Sequence, residues 1–215
     1  MRIRSMAVLA VCVVTSSVLA GCGPTDTATG GPTSGPARAP APPATSSAAA
    51  GVPVKDLTPG NCTLYTKASA VTLLGTVNDN NKALDIGTDG GTKIDTCSYL
   101  HLGGTALEGI SYAVVRYDSA STAQTEVQKL QTEMLGDAAD HSWPVQTLTT
   151  PAPGAGPVLG GTGTKTEQGI TTTIAVVGTN VGPYLVAALG GSTVSTANAQ
   201  KYALAVFQAL NTAVG

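Results

Sequence analysis

Residues 107–135 read LEGISYAVVRYDSASTAQTEVQKLQTEML, and the change of period inside this stretch decides the fold class. Leu107 to Tyr117 is a strand, and the adjacent Val114 and Val115 give it an apolar residue on each face. A strand apolar on both sides belongs in the middle of a sheet that is covered twice. After Asp118 the period lengthens to that of a helix. Ala123, Val127, Leu130 and Met134 recur at spacings of four, three and four, one stripe down a helix from Ser119 to Leu135. Ser121 with Gln124 fits a capping box, and Gly136 stands where the helix should stop.

Working outward, Asp95–Leu102 reads as another strand, joined to the first by a Gly103-Gly104 turn. A short helix from Thr66 to Leu74 precedes it, capped by Thr66, stopped by Gly75, with Ala70, Val71 and Leu74 along one side. Toward the C-terminus, the stretch from Asp137 to Gly163 is irregular, with five glycines and four prolines. Three strands follow, near Gly163–Thr166, Ile170–Val177 and Tyr184–Leu189. A closing helix from Ser195 to Val214 carries Tyr202, Val206, Leu210 and Val214 on one side. The order α-β-β-α-β-β-β-α predicts an α+β domain over residues 55–215. Its sheet should be antiparallel, of about five strands, with two or three helices packed on it.

The N-terminal quarter has a different composition. Gly23 to Pro53 is almost wholly Gly, Pro, Thr, Ser and Ala, with Asp26 and Arg38 its only charges. Such a segment buries too little apolar area to offset backbone ordering of about 1–2 kcal/mol per residue, so residues 22–54 are expected to form a disordered tether. Thr25, Thr27, Thr29, Thr33 and Thr45 are its candidate glycosylation positions. Before it, Arg2 and Arg4 precede an uncharged run from Met6 to Ala20. Fifteen residues are too few for a bilayer core, which needs about 20, but suit a signal peptide over residues 1–21. Without that leader the chain has nine basic and thirteen acidic residues, a net charge near −4. A mildly acidic surface offers no footprint for nucleic acid.

Val18-Leu19-Ala20-Gly21-Cys22 resembles the lipobox of bacterial lipoproteins. The resemblance implies that Cys22 is lipidated, becomes the first mature residue and anchors the chain to the outer face of the plasma membrane. Cys12 then leaves with the leader, and Cys62 and Cys97 remain in an oxidising compartment, where they are expected to pair as a disulfide. In the chain-entropy model a loop of this length contributes roughly 4 kcal/mol. The alternative is a redox or metal pair, for which only His101 stands nearby in sequence.

Chemistry-bearing motifs are sparse. There is no Gly-x-Ser-x-Gly, His-Glu-x-x-His or Ser-x-x-Lys, and no cofactor or metal is expected. Gly160-Gly161-Thr162-Gly163-Thr164-Lys165-Thr166 glances at a phosphate loop, but Thr164 separates glycine from lysine, so it reads as a glycine-rich start of a strand. Asp79, Asp85 and Asp89 lack the alternation of a calcium loop and read as solvated turn residues. His101 and His141 are the only histidines. His141-Ser142-Trp143-Pro144 places the sole tryptophan in the irregular stretch, where His141 and Trp143 are candidate binding residues. Trp143 plugging the core is the competing role.

The lipobox, the Thr/Pro/Ala tether, Cys62-Thr63-Leu64-Tyr65-Thr66 leading to a helix ending at Gly75, Cys97-Ser98-Tyr99 and the closing helix together resemble small lipoproteins of the mycobacterial and actinobacterial cell envelope. Some of these are similar to extracytoplasmic sensor domains of membrane kinases. The resemblance implies a non-enzymatic binding, accessory or sensor-like domain at the envelope, holding a lipid, glycan or small ligand or docking on an envelope protein. The other reading is a secreted hydrolase acting on envelope components, with His101 or His141 as base. Cys22→Ala is expected to leave the chain without lipid, either held as precursor or released. Fatty-acid labelling with membrane fractionation checks this, and a processed variant still in the membrane would reveal a second membrane contact.

Overall fold

The structure, a computed structural model, describes residues 57–78, 90–136, 139–167 and 169–214. In chain order these form β1 (Gly60–Asn61), α1 (Lys67–Leu74), β2 (Thr92–Gly103), β3 (Ala106–Arg116), α2 (Ala120–Leu135), α3 (Val145–Leu148), β4 (Leu159–Glu167), β5 (Ile170–Val181), β6 (Tyr184–Ser192) and α4 (Thr196–Val214). The class is α+β, and the sheet runs β1-β2-β3-β6-β5-β4. The segments expected as signal peptide and tether, with Cys22, fall outside the described residues, as do Asp79, Asp85 and Asp89.

Two features differ from the expected sheet of five antiparallel strands. A sixth strand, β1, pairs parallel to β2 through Gly60 and Asn61 only, so the sheet is mixed. A fourth helix, α3, is a single turn behind Pro144. Two residues and one turn are too short to leave a periodic signature. The helices also occupy both faces of the sheet. Tyr112, Val114, Val177, Val186 and Ala188 pack with Tyr202, Val206, Phe207 and Leu210 of α4. The intervening Ala113, Val115, Val176, Leu185 and Ala187 pack with Ala123, Val127 and Leu130 of α2. Each such buried side chain contributes roughly 1.5–3 kcal/mol for the larger aliphatic and aromatic residues.

Connectivity follows from the helix between the strand groups. β2 and β3 form a hairpin, closed by Gly104 at φ 61°. α2 then crosses to β4 at the far edge, and β4, β5 and β6 return by hairpins until β6 pairs antiparallel with β3. α2 is capped by Ser119, whose side chain accepts from the Thr122 N–H, two residues earlier than the sequence spacing implied. Its buried side comprises Ala123, Val127, Leu130, Gln131 and Leu135, while α1 buries Ala70 and Leu74 and leaves Val71 exposed.

Cys62 and Cys97 are joined by a disulfide with Cα atoms 4.9 Å apart. Beside it Asp95, 1% exposed, gathers the chain between β1 and α1 onto one carboxylate oxygen. Its Oδ2 accepts from the Thr63 N–H (3.0 Å), the Thr63 hydroxyl (2.7 Å), the Leu64 N–H (2.6 Å) and the Tyr112 hydroxyl (2.9 Å). Cys62 has φ 60°, the left-handed region that disfavours a side chain, and these bonds hold it there. The Tyr99 hydroxyl donates to the Tyr65 carbonyl at 2.8 Å. Burial first, and then the Asp95 charge, pushes the Tyr99 hydroxyl up to about 12, so it stays a proton donor.

Close approach of the helices depends on small residues in the sheet. A Cβ on Gly190 would collide with the Ala199 carbonyl and lie 2.7 Å from the Ala203 nitrogen of α4. The neighbouring Gly191 points to the other face, where the nearest atom to a Cβ is 3.8 Å away. Gly190→Ala is therefore expected to lose at least the roughly 1–3 kcal/mol of an overpacked core, and Gly191→Ala to stay within about 0.5 kcal/mol of the parent. Urea unfolding of the two variants checks the contrast.

Candidate functional site

The site forms where the chain wraps the outer edge of the sheet. Beyond the end of α2 at Leu135, Asp140 pairs antiparallel with Thr162 of β4, with N–H to carbonyl distances of 2.8 and 2.9 Å. The chain then passes around β4 to α3. Glycines make room for this. A Cβ on Gly160 would collide with Val145, and one on Gly161 would lie 2.8 Å from Leu135 and 3.0 Å from the His141 ring. The glycine-rich stretch that glances at a phosphate loop is thus strand β4 itself, with glycines set by packing.

Between the end of α2, the wrapping segment and β4 lies a groove of about 430 Å³. Gln131, His141, Ser142, Trp143 and Gln146 line it with Pro144, Val145, Leu159 and Gly160. Trp143 is only 9% exposed and belongs to the core with Val145 and Val158, so it fills the interior and forms a groove wall at once. His141, Ser142 and Gln146 are exposed. Asp140 beside them is held below the usual carboxylate range, first by the Ser142 hydroxyl and then by the Ser142 N–H at 2.8 Å.

Gln131 is the unusual member. It follows Val127 by four residues and precedes Leu135 by four, which places it on the buried stripe of α2. It is 7% exposed, and its Nε2 is buried without a hydrogen-bond partner. An unsatisfied buried amide costs about 1–3 kcal/mol, so the folded protein carries an unpaired donor buried beside the groove. A residue chosen for stability at this position would be Leu or Met.

The other histidine belongs to a separate polar row. His101 of β2 pairs with Glu108 of β3, and Glu108 with Ser192 of β6. The His101 Nδ1 lies 2.7 Å from the Thr76 carbonyl and 2.9 Å from the Thr76 hydroxyl. A carbonyl only accepts, so Nδ1 carries the proton. Glu108 Oε1 accepts from Asn198 Nδ2 at 2.8 Å and from the Ser192 hydroxyl at 3.3 Å. Ser192 also accepts the Val194 and Ser195 N–H groups and so helps start α4. The carboxylate sits between His101 and Ser192, whereas a hydrolytic triad needs the imidazole in the middle. The row therefore fastens α4 to the sheet.

The structure thus separates His101 from His141 and joins His141 to Trp143 in one groove. Gln131 and Gln146 were not singled out in the sequence, and Gly160 stood out only within the glycine-rich stretch. The spacing from Val127 to Gln131 was the available signal for the first, and nothing local marks Gln146. Among the described residues no group of three or more His, Cys, Asp or Glu side chains could hold a metal ion, and no helix is long and apolar enough to cross a membrane.

Partial burial pushes the Glu108 carboxyl up, but hydrogen bonds from Tyr202, Asn198 and Ser192, with the His101 charge, outweigh it and hold the group below its ordinary 4.5. The unfolded chain then binds this proton more readily than the folded one. The contribution is complete above pH 4.5 and is lost as pH falls through the lowered folded value. Glu108→Gln is expected to weaken the protein at neutral pH and to flatten its acid-side loss of stability, as read by urea unfolding at successively lower pH.

In comparisons with known proteins, no family model matches the chain, no curated protein matches it, and no solved structure matches it. The residues and their geometry alone carry its functional reading.

Proposed function

We propose that this chain is a lipid-anchored extracytoplasmic lipoprotein whose α+β domain is a non-enzymatic binding or sensor-like module at the cell envelope. The address follows from the apolar run before Val18-Leu19-Ala20-Gly21-Cys22 and from the Cys22 position itself. A cysteine pair joined as Cys62–Cys97 suits such an oxidising location. With the diacylglyceryl group of lipoproteins on Cys22, two or more acyl chains hold the protein at the outer face of the plasma membrane. The tether over residues 22–54 carries the domain clear of the surface.

The observation that carries the binding role is the groove at His141 and Trp143, with the unpartnered Gln131 amide in its wall. Sites for small ligands combine an apolar body with a few converging polar groups, and this groove does so. A hydrolase is disfavoured because His101 spends Nδ1 on Thr76, and among the described residues no serine hydroxyl bonds either imidazole.

The test is native mass spectrometry of the chain recovered from membranes in mild detergent. Wild type is expected to carry a small molecule that the His141→Ala/Gln146→Ala double variant loses. Both positions are exposed, so the variant keeps its fold. Recovery of empty protein, or retention of the ligand by the double variant, would remove the groove from consideration.

A further inference from the structure

We infer that the donors gathered on Asp95 form a latch over the Cys62–Cys97 disulfide. Thiols reduce this bond only while the arm of residues 60–66 is lifted from β2, and lifting the arm leaves the rest of the sheet in place. The latch lies at the opposite edge of the sheet from the groove and does not depend on it.

Reduction begins when a thiolate attacks one sulfur in line with the S–S bond and the other sulfur departs with the electron pair. Cys97 is fully buried in the core with Tyr99 and Tyr112, so solvent thiols do not reach it. Cys62 is half-buried and packs against that core from outside. Attack at Cys62 forms a mixed disulfide there and releases Cys97 as a thiolate. With the arm closed, that charge would arise inside an apolar cluster, two residues along β2 from the Asp95 carboxylate on the same face. Both routes stay closed until the arm moves.

The bonds that fasten the arm run to β2 and β3. Gly60 and Asn61 pair with Asp95 and Thr96. The Thr63 N–H and hydroxyl and the Leu64 N–H donate to Asp95 Oδ2. The Tyr65 N–H donates to the Tyr112 hydroxyl at 3.3 Å, and the Tyr65 carbonyl accepts from Tyr99. These bonds are separate from the pairings that join β2, β3, β6, β5 and β4, so the arm can leave while those pairings persist. Two features favour this local opening over unfolding of the whole domain. Cys62 at φ 60° is relieved when the arm lifts, and so is Asp95 Oδ1, which is buried without a partner.

The test is reduction of the full chain by excess dithiothreitol. Samples are blocked with iodoacetamide at intervals, and thiols appearing at Cys62 and Cys97 are counted by peptide mass. The dithiol becomes a cyclic disulfide as the two cysteines become thiols, so the electrons balance. Wild type is expected to react about a hundredfold or more slowly than the same chain unfolded in urea. Below the unfolding transition its rate should be nearly flat in urea, because lifting the arm exposes little surface. Thr63→Val keeps the side-chain shape, removes one donor from Asp95 and should speed reduction about tenfold. Val127→Ala weakens the opposite face of the sheet and should lower the Tm without changing the rate. Trp143, the only tryptophan, sits at the far edge and should keep its folded emission after reduction. A rate that climbs with urea as steeply as global unfolding overturns the latch, as does acceleration of both variants in proportion to their lost stability. Loss of the folded Trp143 emission in step with reduction overturns it too. An unchanged rate in Thr63→Val, or wild type reacting as fast as the unfolded chain, has the same force.

Discussion

The structure depends on a sheet whose central strands are enclosed on both faces. From Tyr184 to Ser192, β6 is buried at every position except Gly191, and β3 and β5 lie beside it. Two helices can cover such a sheet closely only if the strands between them are slim. Ala175, Gly178, Ala187, Ala188 and Gly190 provide that, with Gly178 against Val127 of α2 and Gly190 against the backbone of α4. Polar chemistry is displaced to the margins. The groove lies at the β4 edge, and the Glu108 row lies at the end of the sheet where α4 begins.

The opposite edge is held differently. β1 is too short to stay by pairing alone. The covalent link at Cys62–Cys97 and the four donors on Asp95 Oδ2 replace a packed strand. A buried carboxylate is costly to desolvate, and here four donors converge on Oδ2 while Oδ1 is buried without a partner. Tyr112 links this cage to the central strand β3, so the outermost segment is referred back to the rigid middle of the sheet.

Most of the regular structure was legible because it is periodic. Tyr202, Val206, Leu210 and Val214 on α4, and Ala123, Val127 and Leu130 on α2, are buried where their spacing placed them. The Cys62–Cys97 bond was legible by accounting for the cysteines. Strand order was not, because the pairing of β3 with β6 joins residues that no local pattern relates. The cap of α2 was misplaced by two residues because three hydroxyl residues, Ser119, Ser121 and Thr122, crowd the same turn. The groove was half legible. Trp143 and His141 stood out by rarity, but Gln131 was hidden by its residue type, although its spacing matched the buried stripe.

The splice between β3 and β6 has a consequence for how the chain reaches this state. The disulfide closes a loop that ends at Cys97, before β3 begins, so the N-terminal half can be locked without any residue beyond it. The sheet, by contrast, is completed only when Tyr184–Ser192 arrives beside Ala106–Arg116. That long loop closure, rather than helix formation or oxidation, is the natural slow step of folding. Until it occurs, β3 presents an open apolar edge and both helices lack their bed. A chain interrupted before β6 would keep its covalent bond and still be unable to fold.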